Sequence, residues 1–227
     1  MNIRSEGNEA ARVKRAGASA IYYNDSVLLC GGKLTRNRLS DCMVYNIADD
    51  MWSEHSITLR PRDEAAIAKI SSRVLLMGGL YESSVEIWNP TDNSWKLGAE
   101  LPNVVSRGCA VSTGDSIILT GGHDNSSSII SLATVLRLSA DTGNWQQIES
   151  MIDPRRDHTC LYVEFERSKG ILVAGGLGSS DEVLDSVEFY DLDKNDWTRV
   201  SSMKVPRAEH TMSLIYGLPT VMGIEYF

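Results

Sequence analysis

The chain has 227 residues, 42% of them hydrophobic, and its 22 lysines and arginines face 30 aspartates and glutamates for a formal charge of -8. That is enough apolar material for one sizeable domain. An isoelectric point near 5.0 with no basic stripe leaves nothing to neutralise a phosphate backbone, which argues against DNA and RNA as partners, and no apolar run approaches the roughly 20 residues that a membrane helix needs.

In chain order, residues 1–12 are polar, and we read them as a disordered tail rather than a signal peptide or anchor. A pattern then sets in. Arg15 precedes an apolar run, Ala18 to Tyr23; a second run, Val27-Leu28-Leu29-Cys30, stops at Gly31-Gly32; a polar loop leads to Tyr45, an acidic turn at Asp49-Asp50 and Trp52. The same order returns as Arg62, Val74 to Met77, Gly78-Gly79, Trp88, Asp92-Asn93 and Trp95. It returns again as Arg107, Ile117 to Thr120, Gly121-Gly122, Leu138, Asp141-Thr142-Gly143 and Trp145, and once more as Arg156, Ile171 to Ala174, Gly175-Gly176, Tyr190, Lys194-Asn195-Asp196 and Trp197. A fifth copy opens at Arg207, followed by the run Met212 to Tyr216, and its Met222-Gly223-Ile224 lacks the second glycine.

From Tyr45, Trp88, Leu138 or Tyr190 to the closing tryptophan is seven residues each time, and those tryptophans lie 43, 50 and 52 residues apart. Self-similarity at that period marks a propeller or an array. Each copy predicts four strands: one after the arginine, one into the glycine pair, one into the Tyr position and one around the Trp, which is a propeller blade. Glycine pairs at strand ends permit positive φ or a close backbone approach. The aromatic rings fill the space between sheets, and the Asp/Asn-rich segments suit tight hairpin turns.

With those motifs the chain resembles the kelch-repeat β-propeller family. The resemblance implies an all-β fold with four full four-stranded blades, at about 13–58, 59–101, 102–151 and 152–203, and a partial fifth at 204–227. Such blades either close as a four-bladed ring or form an arc of a larger propeller.

The four cysteines, Cys30, Cys42, Cys109 and Cys160, contain no CxxC pair and are read as buried thiols, which favours a reducing, cytoplasmic location. The sequons at Asn24 and Asn125 are read as chance occurrences. Of the four histidines, His158 and His210 occupy matching places in successive copies and read as packing residues. Glu149, Asp153 and His158 approximate the E-x3-D-x3-H iron motif of plant specifier proteins, but the histidine is one residue late. No copper constellation like that of galactose oxidase is present either, so no metal, cofactor or catalytic residue is expected.

Binding remains. Antiparallel topology sends the segment before the first strand and the loop after the glycine pair to the same face. That face collects the repeat-opening arginines with the loops 33–40, 80–83, 123–128 and 177–182. In kelch propellers that capture peptides, such residues line the pocket. The resemblance therefore implies partner contacts from Arg15, Arg62, Arg107, Arg156 and Arg207, with His123 and His158 beside them, and guanidinium forks suited to an acidic motif. It implies a protein-interaction module, as in ubiquitin-ligase substrate adaptors or actin-binding kelch proteins. The ligase use also requires BTB and BACK regions, which would have to come from a longer parent chain.

Overall fold

The computed structural model describes residues 14–125, 130–165 and 168–214, and every regular element among them is a β-strand. The disordered-tail expectation for residues 1–12 and the Met222-Gly223-Ile224 motif lie outside the described residues. The chain divides into two compact units, Met1–Ser106 and Arg107–Phe227, each carrying two of the four blades expected from the repeats.

In the first unit, β1 (Ser19–Tyr23) and β2 (Ser26–Cys30) form a hairpin. A small ladder of β3 (Lys33–Leu34) and β4 (Asn37–Arg38) comes next, then β5 (Asp41–Asn46) and β6 (Met51–Ile57) complete blade one in the order β1-β2-β5-β6. Blade two is built likewise from β7 (Ala66–Ile70), β8 (Arg73–Met77), β9 (Val85–Asn89) and β10 (Ser94–Leu97). In the second unit, β11 (Cys109–Ser112), β12 (Ser116–Thr120), β13 (Val135–Ser139) and β14 (Trp145–Ile148) make blade three. Blade four consists of β15 (Thr159–Phe165), β16 (Ser168–Ala174), β17 (Val187–Asp191) and β18 (Asp196–Val200). The described residues of the fifth copy contain no strand, and part of its apolar run lies outside them.

The seven-residue spacing now has a geometric meaning. Tyr45 pairs with Trp52, Trp88 with Trp95, Leu138 with Trp145 and Tyr190 with Trp197, each directly opposite across the last two strands. The turn between them needs one left-handed residue, two before the Trp, and Asp50, Asn93, Gly143 and Asn195 supply it with φ of 53°, 49°, 66° and 54°. Asp, Asn and Gly tolerate that conformation best, which is why the turns have this composition.

The blades of a unit dock through the tryptophans and the glycines. Trp95 donates its indole N–H to Ser56 Oγ on the preceding blade at 3.0 Å, and Trp197 donates to the Glu149 carbonyl at 2.9 Å. Leu28, Cys30 and Cys42 pack on Val74, Leu76, Trp88 and Trp95 in unit one. Ile118 and Val135 pack on Cys160, Ile171, Val173, Tyr190 and Trp197 in unit two. At the glycine pair the second N–H reaches the next repeat: Gly32 to Arg62 O at 2.8 Å, Gly79 to Val105 O at 2.8 Å, Gly122 to Arg155 O at 2.8 Å and Gly176 to Arg207 O at 2.9 Å. A Cβ on the first glycine would sit 2.1–2.4 Å from that same carbonyl. Only glycine leaves room.

The cysteines correct the sequence reading. They are paired, Cys30 with Cys42 and Cys109 with Cys160. The first pair joins directly opposite residues of β2 and β5, and the second ties β11 to β15, the first strands of blades three and four. Sequence separations of 12 and 51 residues hide both pairings, since only the blade register brings these positions together. Free thiols therefore no longer argue for a reducing compartment.

Candidate functional site

Each repeat-opening arginine is expected at the loop face, and the register shows which residues share that place. Counting back from the first residue of the inner strand, the equivalent positions are Arg15, Arg62, Val105 and Arg155; Arg207 joins them because its carbonyl accepts from Gly176 as theirs accept from the preceding glycine pairs. Sequence reasoning takes Arg107 and Arg156 instead, two residues late and one residue late: in the third repeat the equivalent position holds a valine, and in the fourth the longer β15–β16 hairpin moves it away from the glycine pair.

The arginines at this position in the first, second and fourth copies turn into their own blades. Arg62 donates to Gly78 O at 2.8 Å, to Ser84 O at 3.0 Å and to Ser84 Oγ at 3.1 Å, and it pairs with Glu86. Arg155 repeats the set with Gly175 O at 2.7 Å, Ser186 O at 3.2 Å, Ser186 Oγ at 3.1 Å and Glu188 at 2.6 Å. Both guanidinium groups and both glutamates are fully buried. Each glutamate also receives two backbone N–H groups from the segment leading into its blade, Leu59 and Arg60 on Glu86, and Ile152 and Asp153 on Glu188. Arg15 behaves alike with Gly31 O at 2.9 Å and Asp41 Oδ2 at 2.7 Å. These arginines hold the glycine corner and the entering loop, and sequence reasoning missed Arg155 in that role.

Two further arginines lie closer to the face. Arg156 is buried; it donates to Ser131 Oγ at 2.8 Å and pairs with Asp181. Arg107 has φ of 57°, a side chain 36% exposed, and Asp157 at 3.5 Å. Its register equivalents are Gly17, Glu64, Asp157 and Glu209, all left-handed. Arg207 is exposed, with its Nε on Val205 O at 3.4 Å.

The histidines divide. His158 is buried with Nε2 2.8 Å from Thr120 Oγ1. Burial, then the charge of Arg155, then His210, push its pKa down from the usual 6.5 to about 3. It is therefore a neutral packing residue. His210 stands at the matching place, where Ala174 replaces the hydroxyl of Thr120, and burial lowers its pKa too. His123, on the loop after Gly122, is half-buried with Nδ1 3.1 Å from Asn125 Oδ1; Ser126 to Ser128 of that loop lie outside the described residues.

Glu149, Asp153 and His158 are not brought together, since Asp153 bonds Ser186 Oγ at 2.9 Å and Arg199, while His158 faces Thr120. Among the described residues no group of three or more His, Cys, Asp or Glu side chains is placed to hold a metal ion.

Exposed apolar side chains lie on the repeat-opening segments, at Leu59, Ile152 and Val205, and on the post-glycine connections. Tyr81 and Leu34 in unit one and Val183 in unit two are large apolar side chains open to solvent. Arg38 Cζ stands 5.4 Å from the centre of the Tyr81 ring. Sequence reasoning points to the loops that hold Leu34 and Tyr81 and stops one residue short of Val183, and it names none of the three.

The family model described as Attractin/LZTR1 beta-propeller matches residues 30–223 of the chain. Among curated proteins, the chain is 24% identical over 195 residues to the Kelch repeat protein M-T8 of Myxoma virus (strain Lausanne), covering 83% of this chain and 37% of that protein. It is 25% identical over 194 residues to human Kelch-like protein 23, covering 84% and 32%, and 28% identical over 226 residues to Kelch-like protein 7 of Rattus norvegicus, covering 93% and 37%. The chain thus spans about a third of the length of these relatives.

Proposed function

The chain belongs to the kelch-type β-propeller family of the Attractin/LZTR1 description, and we propose that it is a protein–protein interaction module that meets its partner with the post-glycine loops and repeat-opening segments. The observation that carries this reading is how each repeat divides its residues. On the loop side the inner arginines are used up inside the blades, while Tyr81, Leu34 and Val183 stay exposed; large apolar side chains are also exposed on strands, at Tyr22, Ile57 and Leu97. Exposed apolar groups rimmed by charge mark interaction sites more than catalytic ones.

Within that face Arg107 is the candidate for a partner carboxylate. Its guanidinium is partly exposed and already faces one carboxylate, Asp157, so an acidic partner residue would compete with or extend that pair. Arg15, Arg62 and Arg156 then act as supports that shape the loops. In a longer parent chain carrying BTB and BACK regions, the module would be the substrate-recognition end of a ubiquitin-ligase adaptor.

The test is cross-linked partner capture with the wild-type chain and with Arg107→Ala, alongside melting curves for both. Weakened capture at an unchanged melting temperature is the expected result. Loss of folding and capture together would make Arg107 structural. Co-sedimentation with actin filaments in place of capture of a soluble partner would assign the face to the cytoskeleton instead.

A further inference from the structure

Among the described residues, blade one alone has a two-residue ladder in the connection after its glycine pair. That connection folds into a hairpin of its own, with Lys33 opposite Arg38 and Leu34 opposite Asn37, closed by Leu39 N–H on Gly32 O at 2.8 Å. Six residues, Lys33 to Arg38, hold three cations in a chain whose net charge is -8. Local sign here opposes the sign of the whole molecule. The carboxylates that face these cations are Asp63 and Glu64. Asp63 lies 2.9 Å from Arg38 Nε and 3.4 Å from Lys33, and Glu64 lies 3.6 Å from Lys33. Asp63 is buried, so it anchors the hairpin rather than presenting negative charge outward. Lys33 and Arg38 keep about a third of their side chains exposed, and Arg36 at the hairpin tip is exposed.

Against this hairpin stands Tyr81, from the post-glycine turn of blade two. The turn is fixed by Glu82 N–H on Gly79 O and Leu80 N–H on Asp63 O, both at 3.1 Å. Tyr81 takes φ of 66° and keeps 67% of its surface in solvent, with the Arg38 guanidinium over its ring. Leu34, also exposed, lies on the same hairpin. An aromatic ring beside arginines, held on a rigid base and wet in the free protein, has the composition of an interface hot spot. Asp63 is the shared anchor: its side chain holds the hairpin, and its backbone carbonyl holds the Tyr81 turn.

We propose that Tyr81 with Lys33, Arg36 and Arg38 forms a docking patch for an acidic protein segment in which a carboxylate lies close to an apolar or aromatic side chain. This rests on the interaction-module reading and specifies where and what it binds. The carboxylate meets the hairpin cations, and the apolar side chain covers the Tyr81 ring; Leu34, on the opposite face of the hairpin from Arg38, lines a cavity with His55 and Ile57 and stays outside the patch. The local positive excess on an acidic chain favours that charge and disfavours a basic segment.

A phage-displayed library of random dodecapeptides panned on the full chain is the direct test. Enriched peptides would be synthesised and their affinities measured by fluorescence anisotropy for the wild type, Tyr81→Ala, Arg36→Gln, Arg38→Gln and Arg107→Ala. Arg36→Gln is the control for folding, because Arg38 also anchors the hairpin through Asp63. The expected result is enrichment of Asp or Glu next to an apolar residue. Affinity should fall about tenfold or more in Tyr81→Ala, fall in Arg36→Gln, weaken with added salt, and fall less in Arg107→Ala than in Tyr81→Ala. Peptides that bind Tyr81→Ala and Arg36→Gln as well as wild type would overturn the patch. Loss confined to Arg107→Ala would overturn it too, while leaving the module reading in place. If no peptide is enriched the patch fails, and the protein-capture experiment decides the module separately.

Discussion

At the scale of single residues, burial decides what each repeated position contributes. Trp197 is 6% exposed with its indole N–H on a neighbouring blade, and Trp197→Ala should cost about 3–5 kcal/mol. Trp145 holds the same sequence position but is half-buried, so Trp145→Ala should cost less, about 1–3 kcal/mol. Equal losses in denaturant titrations would sink the assignment of the closing Trp as an inter-blade anchor. His158 gives a pH prediction. Its pKa falls from 6.5 to about 3 on folding, chiefly by burial, so between these values the unfolded chain binds a proton that the folded chain refuses. The stability tied to His158 is whole above pH 6.5 and is lost as pH falls toward 3. The variant His158→Gln should flatten the acid limb of the stability curve in that window; an unchanged limb would mean that the imidazole is solvated.

Among elements, the chain carries its own comparison of buried charge with apolar packing. Blades two and four hold Arg62–Glu86 and Arg155–Glu188, each glutamate also receiving two backbone N–H groups. Blade three has Val105 at the arginine position and Leu136 at the glutamate position. Where Leu59 and Ile152 donate, it has Pro102, which has no N–H. All three members change together because a buried ion left alone is costly, whereas replacing both partners by apolar groups is tolerated. Arg62→Val or Glu86→Leu alone should therefore cost about 3–5 kcal/mol. The pair together should cost clearly less than the sum, and adding Leu59→Pro should remove a donor that the pair strands. Strict additivity in a double-mutant cycle would show that the two side chains are not coupled. The periodic arginines were legible in the sequence. Their direction was not, because an arginine on a loop turns inward where its own blade brings a carboxylate within reach, as Asp41, Glu86 and Glu188 do.

For the whole molecule, the disulfides are the largest departure from the sequence reading. Cys109–Cys160 joins the first strands of two blades, so it closes a long loop in the unfolded chain. Thiol titration of the unreduced protein should find no free thiol, and the Cys109→Ser/Cys160→Ser pair should lose about 2–5 kcal/mol. A full count of four reactive thiols in the native chain would restore the reading of buried, unpaired cysteines.

Residue order alone specifies the class of fold, the four strands of each blade, the aromatic pairs and the end of each blade at which the repeat-opening segment meets the post-glycine connection. Those features are local or periodic: a seven-residue spacing sets a cross-strand pair, a left-handed turn selects Asp, Asn or Gly, and a glycine pair leaves room for one carbonyl. Which arginines are buried, which cysteines meet, and that Arg38 reaches Tyr81 were settled by the three-dimensional packing. These contacts run across one blade, as in Cys30–Cys42 and Arg62–Glu86, or between repeats, as in Cys109–Cys160 and Arg38 with Tyr81, at separations that obey no period. Burial and ionic pairing depend on that spatial register, and a shift of one residue, as between Arg155 and Arg156, exchanges one set of partners for another.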